Sequence, residues 1–493
     1  MGLLASHKKQ GVNTTMTAEW DLIAVGAGLA GLTAANRALE LGQRALVLEQ
    51  STVPRHECAS RTNGGVFHVG FRSVMTDPDE LVEVINKATG NFPDPPVARA
   101  LAGHAARAIE WLKCFGTKFV PLEPTDGWKE HTLYPLGFHN KTTMEWKDLG
   151  ADRLITRLEE RVNELGGESI RGARVSGLII EDGKVRGVKA QTAEGEKFYR
   201  AKAVVLADGG FEANKDMLRR FITSQPEHLH MRTPDSGNGD GMRMAEAAGG
   251  TLIGMEGFYG HLLSADCLTR EGLSPFPFLE FLAATGMMVD AKGERFVEEA
   301  TGGHFTSNAL ARHGNALANV VFDDAMWNMI GKHFFCPPNP NLVNAGGTLH
   351  KAATIEELAG KIGLAPEQLR QLVDAHNAKV DADRTKNEAS AAARESMPSY
   401  AKGKHPSQAF RTPPYYAAPA CPALTSTFGG ISIDEHGRVL HKDGGTIPGL
   451  YAAGSTCGGV EGGPEVGYLG GLIKALVFGV LVAEHQAAQK PNT

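Results

Sequence analysis

Gly26, Gly28 and Gly31 stand in a G-x-G-x-x-G spacing, with an apolar run before them (21–25) and a helical pattern after them (33–41). Glycine at those places lets the main chain approach a pyrophosphate, and the start of a helix offers it partial positive charge. A second apolar run, 45–48, ends in Glu49, an acid placed to accept ribose hydroxyls. Strand, glycine turn, helix, strand and terminal acid are the parts of an adenine-dinucleotide site. An acid rather than a base at position 49 argues against a 2′-phosphate and leaves NAD or FAD.

Three further turns choose between the two. "CASRTNGGVFHVG" (58–70) follows the second strand and sets Ser60, Thr62 and Asn63 beside Gly64 and Gly65. "AKAVVLADGGFEAN" (201–214) is a buried strand ending in Ala207, Asp208 and Gly209, and "GLYAAGSTCGG" (449–459) is another, ending in Gly454 and Ser455. Glycine turns after β runs, spread over the whole chain, suit a long extended ligand touched from several loops. That ordering fits FAD. The stretch "GGVEGGPEVGYLGGLIKALVFG" (458–479) adds a bare backbone turn followed by an apolar helix.

These turns need a frame. The chain has 493 residues, 42% of them hydrophobic, enough for two or more sizeable cores. A net charge of -6 without a basic stripe excludes a nucleic-acid partner. The six cysteines form no C-x-x-C pair, so neither a metal site nor a haem attachment is expected. They fit a reducing compartment and a cytoplasmic location. Residues 1–18 read as a flexible tail. The longest apolar stretch, 470–483, is shorter than the roughly 18 residues of a membrane span and holds Lys474, so no integral membrane segment is expected.

Several stretches resemble a known family. "AVGAGLAGLTAA", "AVVLADGGFEAN", "SGNGDGMRMAEAAGG", "GERFVEE", "PPYYAAPACPALTSTFGG" and "GLYAAGS…GYLGG" occur in order across residues 20–485. The chain resembles the FAD-dependent fumarate reductase and succinate dehydrogenase flavoproteins, nearest the 3-ketosteroid Δ1-dehydrogenase and tricarballylate dehydrogenase branches. The resemblance implies an α/β fold: a Rossmann-like FAD-binding domain (19–255 and 400–489) with an inserted α+β cap, the catalytic domain (256–399). It implies a small-molecule substrate and an electron acceptor or donor such as a quinone, a soluble carrier, free flavin or oxygen. It also adds Leu29, Ala30, Gln50, Val175, Asp240, Leu469, Gly471 and Leu472 to the FAD contacts.

The departures from the family are informative. Relatives that attach FAD covalently use a histidine in the loop after Glu49. Here that register reads Cys58–Thr62 and His56 is out of place, so FAD is expected to be non-covalent. The arginines and histidine that clamp a dicarboxylate in fumarate reductases fall at Gly303, Tyr468 and Thr425 or Ser426, which argues against fumarate or succinate. Tyr468 takes the place of a ketosteroid-dehydrogenase tyrosine that donates to a substrate carbonyl. His304, beside Gly303, is the expected base, with an ordinary pKa suited to neutral pH. His261, in "FYGHLLS" (258–264), is a further candidate, and Lys141, in "HNKTTMEW" (139–146), a possible carboxylate partner. The implied reaction is α-proton abstraction with β-hydride transfer to flavin N5, introducing or reducing a C=C bond next to a carbonyl or carboxyl group. The substrate expected is a small cyclic keto or carboxylic acid; the alternatives are a fumarate-reductase-like ene reductase of an unsaturated acid and a flavin amine or amino-acid oxidase.

Overall fold

A computed structural model describes residues 19–122, 127–136, 146–330, 341–387 and 407–489. The glycine turn sits where the sequence places it, between strand β1 (Trp20–Val25) and helix α1 (Leu29–Glu40). Leu22 to Val25 are buried on both faces, as a central parallel strand requires. Strand β2 (Ala45–Glu49) pairs in parallel with β1, and strand β3 (Glu168–Arg171) with β2. On the other side β1 pairs in parallel with β4 (Gly195–Leu206). The carboxyl ends of β1, β2 and β4 therefore lie side by side, and the loops that follow them meet at one edge. Ligands of open α/β sheets bind at that edge.

A second sheet is inserted after β4. Strand β5 (Phe258–Ser264) leads into the helix α2 (Gly303–Arg312), then β6 (Ala318–Asp323). The long strand β7 (Tyr415–Thr427) pairs with both β5 and β6 and with the short strand His230–Met231. Phe410 and much of β7 belong to a second hydrophobic core with Leu262, Phe278 and Phe322. The segment 410–423, which sequence reasoning groups with 400–489, thus packs against the second core, and Leu424 returns to the first. Its alternate alanines are buried on both faces, so nothing in its pattern distinguishes one core from the other.

The chain then returns to the first sheet. Strand β8 (Thr446–Ala452) pairs in parallel with β4, and helix α3 (Gly471–Ala488) packs against α1. The helix α3 is long and apolar enough to cross a membrane by length and composition, and 67% of it is buried inside the fold. Its Lys474 is fully buried and paired with Glu461 at 2.6 Å. The other Glu461 oxygen accepts the N–H groups of Leu469 and Gly470 at 2.9 and 3.0 Å, which pins the glycine loop to the start of α3. The result is a mixed α/β fold with two cores and a rigid turn between them.

Candidate active site

A cavity of about 1200 Å³ is lined by both units. Its first wall is the β1–α1 turn with Gly26, Gly28, Leu29 and Ala30, then Glu49 and Gln50 at the end of β2. Ser60, Thr62, Asn63, Gly64 and Gly65 of the following loop come next. Val175, Ala207, Asp208, Gly209 and Asp240 continue the wall, and Gly454, Ser455, Gly471 and Leu472 complete it. Glu49 accepts the Ala27 N–H on one oxygen at 2.9 Å and the Ser51 N–H on the other at 2.8 Å, leaving each oxygen a further lone pair. Ser60 Oγ accepts the Leu29 N–H at 3.0 Å, fixing the loop over the helix start. Burial pushes the Asp208 carboxyl up to about 6.

Two expected contacts lie elsewhere. Gly31 faces the carbonyl of Gly26, so its missing side chain serves the close packing of α1 on β1. Leu469 is fully buried behind the loop, its N–H bound to Glu461. Lys141 lies outside the described residues.

The other end of the cavity is aromatic and brings Tyr468, His304 and His261 together. The Tyr468 hydroxyl accepts the N–H of Gly471, the first residue of α3, at 3.2 Å, which leaves its own proton to donate. Burial holds that phenol well above its ordinary pKa. Tyr259, on β5, stacks on Tyr468 with ring centroids 3.9 Å apart. His261 Nε2 lies 3.2 Å from the Tyr259 hydroxyl, and His261 Nδ1 lies 2.5 Å from Glu280 Oε1. The other Glu280 oxygen accepts the Leu262 N–H at 3.0 Å. Burial pushes Glu280 up to about 7 and His261 well down. Glu280, His261 and Tyr259 form one hydrogen-bonded chain from the second core to the cavity.

His304 stands beside that chain. Its ring is 4.7 Å from Tyr259 and 5.2 Å from His261, centroid to centroid. His304 Nδ1 donates to the Gly260 carbonyl at 2.7 Å, which assigns the lone pair to Nε2. Burial, with His261 close by, pushes its pKa down to about 4. The imidazole is therefore neutral at physiological pH and does not titrate where its ordinary value would place it. Gly303 has a local reason: a side chain there would meet the Glu280 carboxyl. His68 is likewise neutral, at about 3 through burial, and its Nδ1 accepts the Phe71 N–H.

The model of the family described as "FAD binding domain" matches residues 21–467. The chain belongs to that family. FAD is its cofactor, and it is an FAD-dependent oxidoreductase. It is 31% identical over 398 residues to an NADH:acrylate oxidoreductase of Vibrio harveyi, across 79% of this chain and 36% of that protein, so it spans about a third of that relative. It is 25% identical to a fumarate reductase (cytochrome) of Shewanella frigidimarina, over 95% of this chain and 77% of the relative. The fold is that of 3-ketosteroid delta1-dehydrogenase from Sterolibacterium denitrificans, with a TM-score of 0.73, 21% identity, and coverage of 96% and 100% of the two chains.

The walls fit FAD. Nothing lies within 4 Å of where a Gly471 β-carbon would sit, and Gly28 and Gly209 meet only loose contacts at 3.4 and 3.8 Å, so the cavity takes the room three side chains would fill. Glu212, pushed up to about 7 by burial, keeps an oxygen without a partner among the described residues. His56 lies 3.5 Å from Glu49, the last residue of β2.

Sequence reasoning missed Tyr259, Glu280, His68 and Arg232. Tyr259 had a readable sign: it precedes His261 by two on a strand, the spacing of one face. Glu280 had none, because its partner His261 is 19 residues away.

Proposed function

We propose that this flavoenzyme transfers a proton and a hydride across the C=C/CH–CH bond next to a carbonyl or carboxyl group of a small molecule, with FAD held non-covalently. The inserted unit acts as the cap that supplies the proton. The chain Glu280–His261–Tyr259 carries this reading, because it leads from a buried carboxyl to a hydroxyl in the cavity.

Each residue has a task. In the reducing direction Tyr259 gives its proton to the α-carbon. His261 Nε2–H restores it, and Glu280 passes its own proton to His261 Nδ1. Run the other way, the same chain removes an α-proton. Tyr468 donates to the substrate oxygen conjugated with the reacting bond, as an oxyanion-hole donor does, with its own oxygen held by Gly471. His304, neutral and buried, offers Nε2 as an acceptor and packs the Tyr259 ring in place; its depressed pKa leaves the proton traffic to Tyr259. FAD, when bound, supplies the hydride acceptor and donor for the β-carbon. His56 sits by Glu49, the acid at the end of β2, which supports a place at the ribose end rather than as a tether to the redox ring. Two relatives named for acrylate and fumarate, both unsaturated acids, support the class of bond.

The test is Tyr259→Phe. Removing the hydroxyl keeps the ring that stacks on Tyr468. Reoxidation of the reduced holoenzyme by an unsaturated carbonyl compound slows about 10²–10⁴-fold, the usual worth of a positioned acid, while flavin content is unchanged. An unaltered rate would remove the relay from the mechanism.

A further inference from the structure

We infer that Arg232 is a carboxylate anchor, so that the substrate is an unsaturated carboxylic acid rather than a neutral ketone. The inference rests on the reading of the site given above and adds the chemical class of its substrate.

The backbone fixes Arg232 at the cavity wall. His230 and Met231 pair in parallel with Ala423 and Leu424 of β7, and the Arg232 N–H donates to the Leu424 carbonyl at 2.8 Å. The side chain is fixed as well. Arg232 Nη1 donates to Thr425 Oγ1, and the guanidinium lies 5.0 Å from the centroid of the Phe278 ring. Phe278 stacks in turn on His261, with centroids 3.9 Å apart and planes 4° from parallel. The cation therefore stands next to the proton relay.

Among the described residues it has no counter-ion. Among the described residues no carboxylate pairs with Arg232, its Nε is shielded from solvent without a hydrogen-bond partner, and its Nη2 makes no bond. The hydroxyl of Thr233, the next residue along the wall, is also buried without a partner. Glu280 is near enough to be felt, but it is committed to His261 and to the Leu262 N–H. Arg61 shows the contrast: it is fully buried and is held by both Asp152 and Glu159, whereas the half-buried Arg232 pairs with no carboxylate among the described residues. A buried charge without a partner is costly, and a bound anion relieves that cost. The Nε–Nη2 edge of a guanidinium matches the two oxygens of a carboxylate, and that edge is the one left without partners.

Crotonate, crotonamide and pent-3-en-2-one share the same reacting bond and differ in charge. The reduced wild-type holoenzyme is expected to be reoxidised by crotonate at lower concentration than by the other two. Arg232→Gln, with flavin content and melting temperature as in wild type, raises the half-saturating crotonate concentration about tenfold or more, the worth of a charged hydrogen bond. It leaves the amide and the ketone within about twofold. Butanoate, titrated calorimetrically into the oxidised holoenzyme, loses affinity in parallel. Should Arg232→Gln lose flavin, Arg232→Lys serves, keeping the charge and losing the fork, with a smaller crotonate-selective loss. An equal shift for all three probes, or none for crotonate, overturns the anchor while leaving the reaction class standing. Failure of every probe to reoxidise the wild-type enzyme overturns the reaction class, and the anchor with it. Tyr259→Phe separates the two ideas, because it slows every probe that reacts and does not select the acid.

Discussion

A tyrosine hydroxyl is too weak an acid to give up its proton unaided near neutral pH, and burial makes Tyr259 weaker still, up to about 12. What lets it act is replacement of the proton from behind, and Glu280 holds that proton. Because burial raises Glu280 to about 7, it is protonated below that pH and ionised above it. The sign follows for both quantities. Its raised pKa contributes stability that is fully present below the ordinary carboxylate range and is lost as pH rises through about 7. The rate in the reducing direction falls over the same limb, since an ionised Glu280 has nothing to pass on. Glu280→Gln keeps a group that can donate to His261 but cannot exchange its proton, so the reoxidation rate drops and the limb near pH 7 disappears. A stopped-flow pH series on the two proteins checks this; a limb that survives in Glu280→Gln belongs to another group. At this scale the sequence was legible for Tyr468, His304 and His261, which reach one cavity. It was not legible for Glu280 or Arg232, whose partners come from other elements. The ordinary pKa of His304 misled because burial, which one sequence does not display, moves it to about 4.

At the scale of elements, the turn into α3 does two jobs with adjacent glycines. Gly471 faces open cavity, whereas the missing β-carbon of Gly470 would meet the His68 carbonyl at a backbone φ of +119°. Substitutions at the two positions should therefore fail differently. Gly471→Val projects into the space the flavin needs and lowers the bound flavin per chain at least tenfold, with the fold retained. Gly470→Ala forces a side chain onto a strained backbone and against the His68 carbonyl, and lowers the melting temperature. Flavin absorbance and thermal unfolding distinguish the two; a Gly471→Val protein with a full complement of FAD contradicts the cradle. The β1–α1–β2 unit was the most legible element, because turn, period and terminal acid agree. The strand β7 was the least, because its alanines and prolines carry no period that says which sheet it joins.

At the scale of the molecule, the cavity exists because two cores meet over it. The first brings strand ends and glycine turns; the second brings Tyr259, His261, Glu280 and His304, with Tyr468 at the seam. Neither unit holds both the cofactor walls and the proton chain, so the reaction needs the whole fold. Family membership was legible from motif order, since the glycine turns among those motifs are cofactor walls. The substrate was less so, because it is met by side chains that differ from relative to relative. The account's central claim is tested most directly by mixing anaerobically reduced holoenzyme with one equivalent of an unsaturated acid or ketone and analysing the product. The account predicts that each flavin oxidised yields one molecule saturated at the bond next to the carbonyl or carboxyl carbon. Flavin that is oxidised without any such product would contradict it.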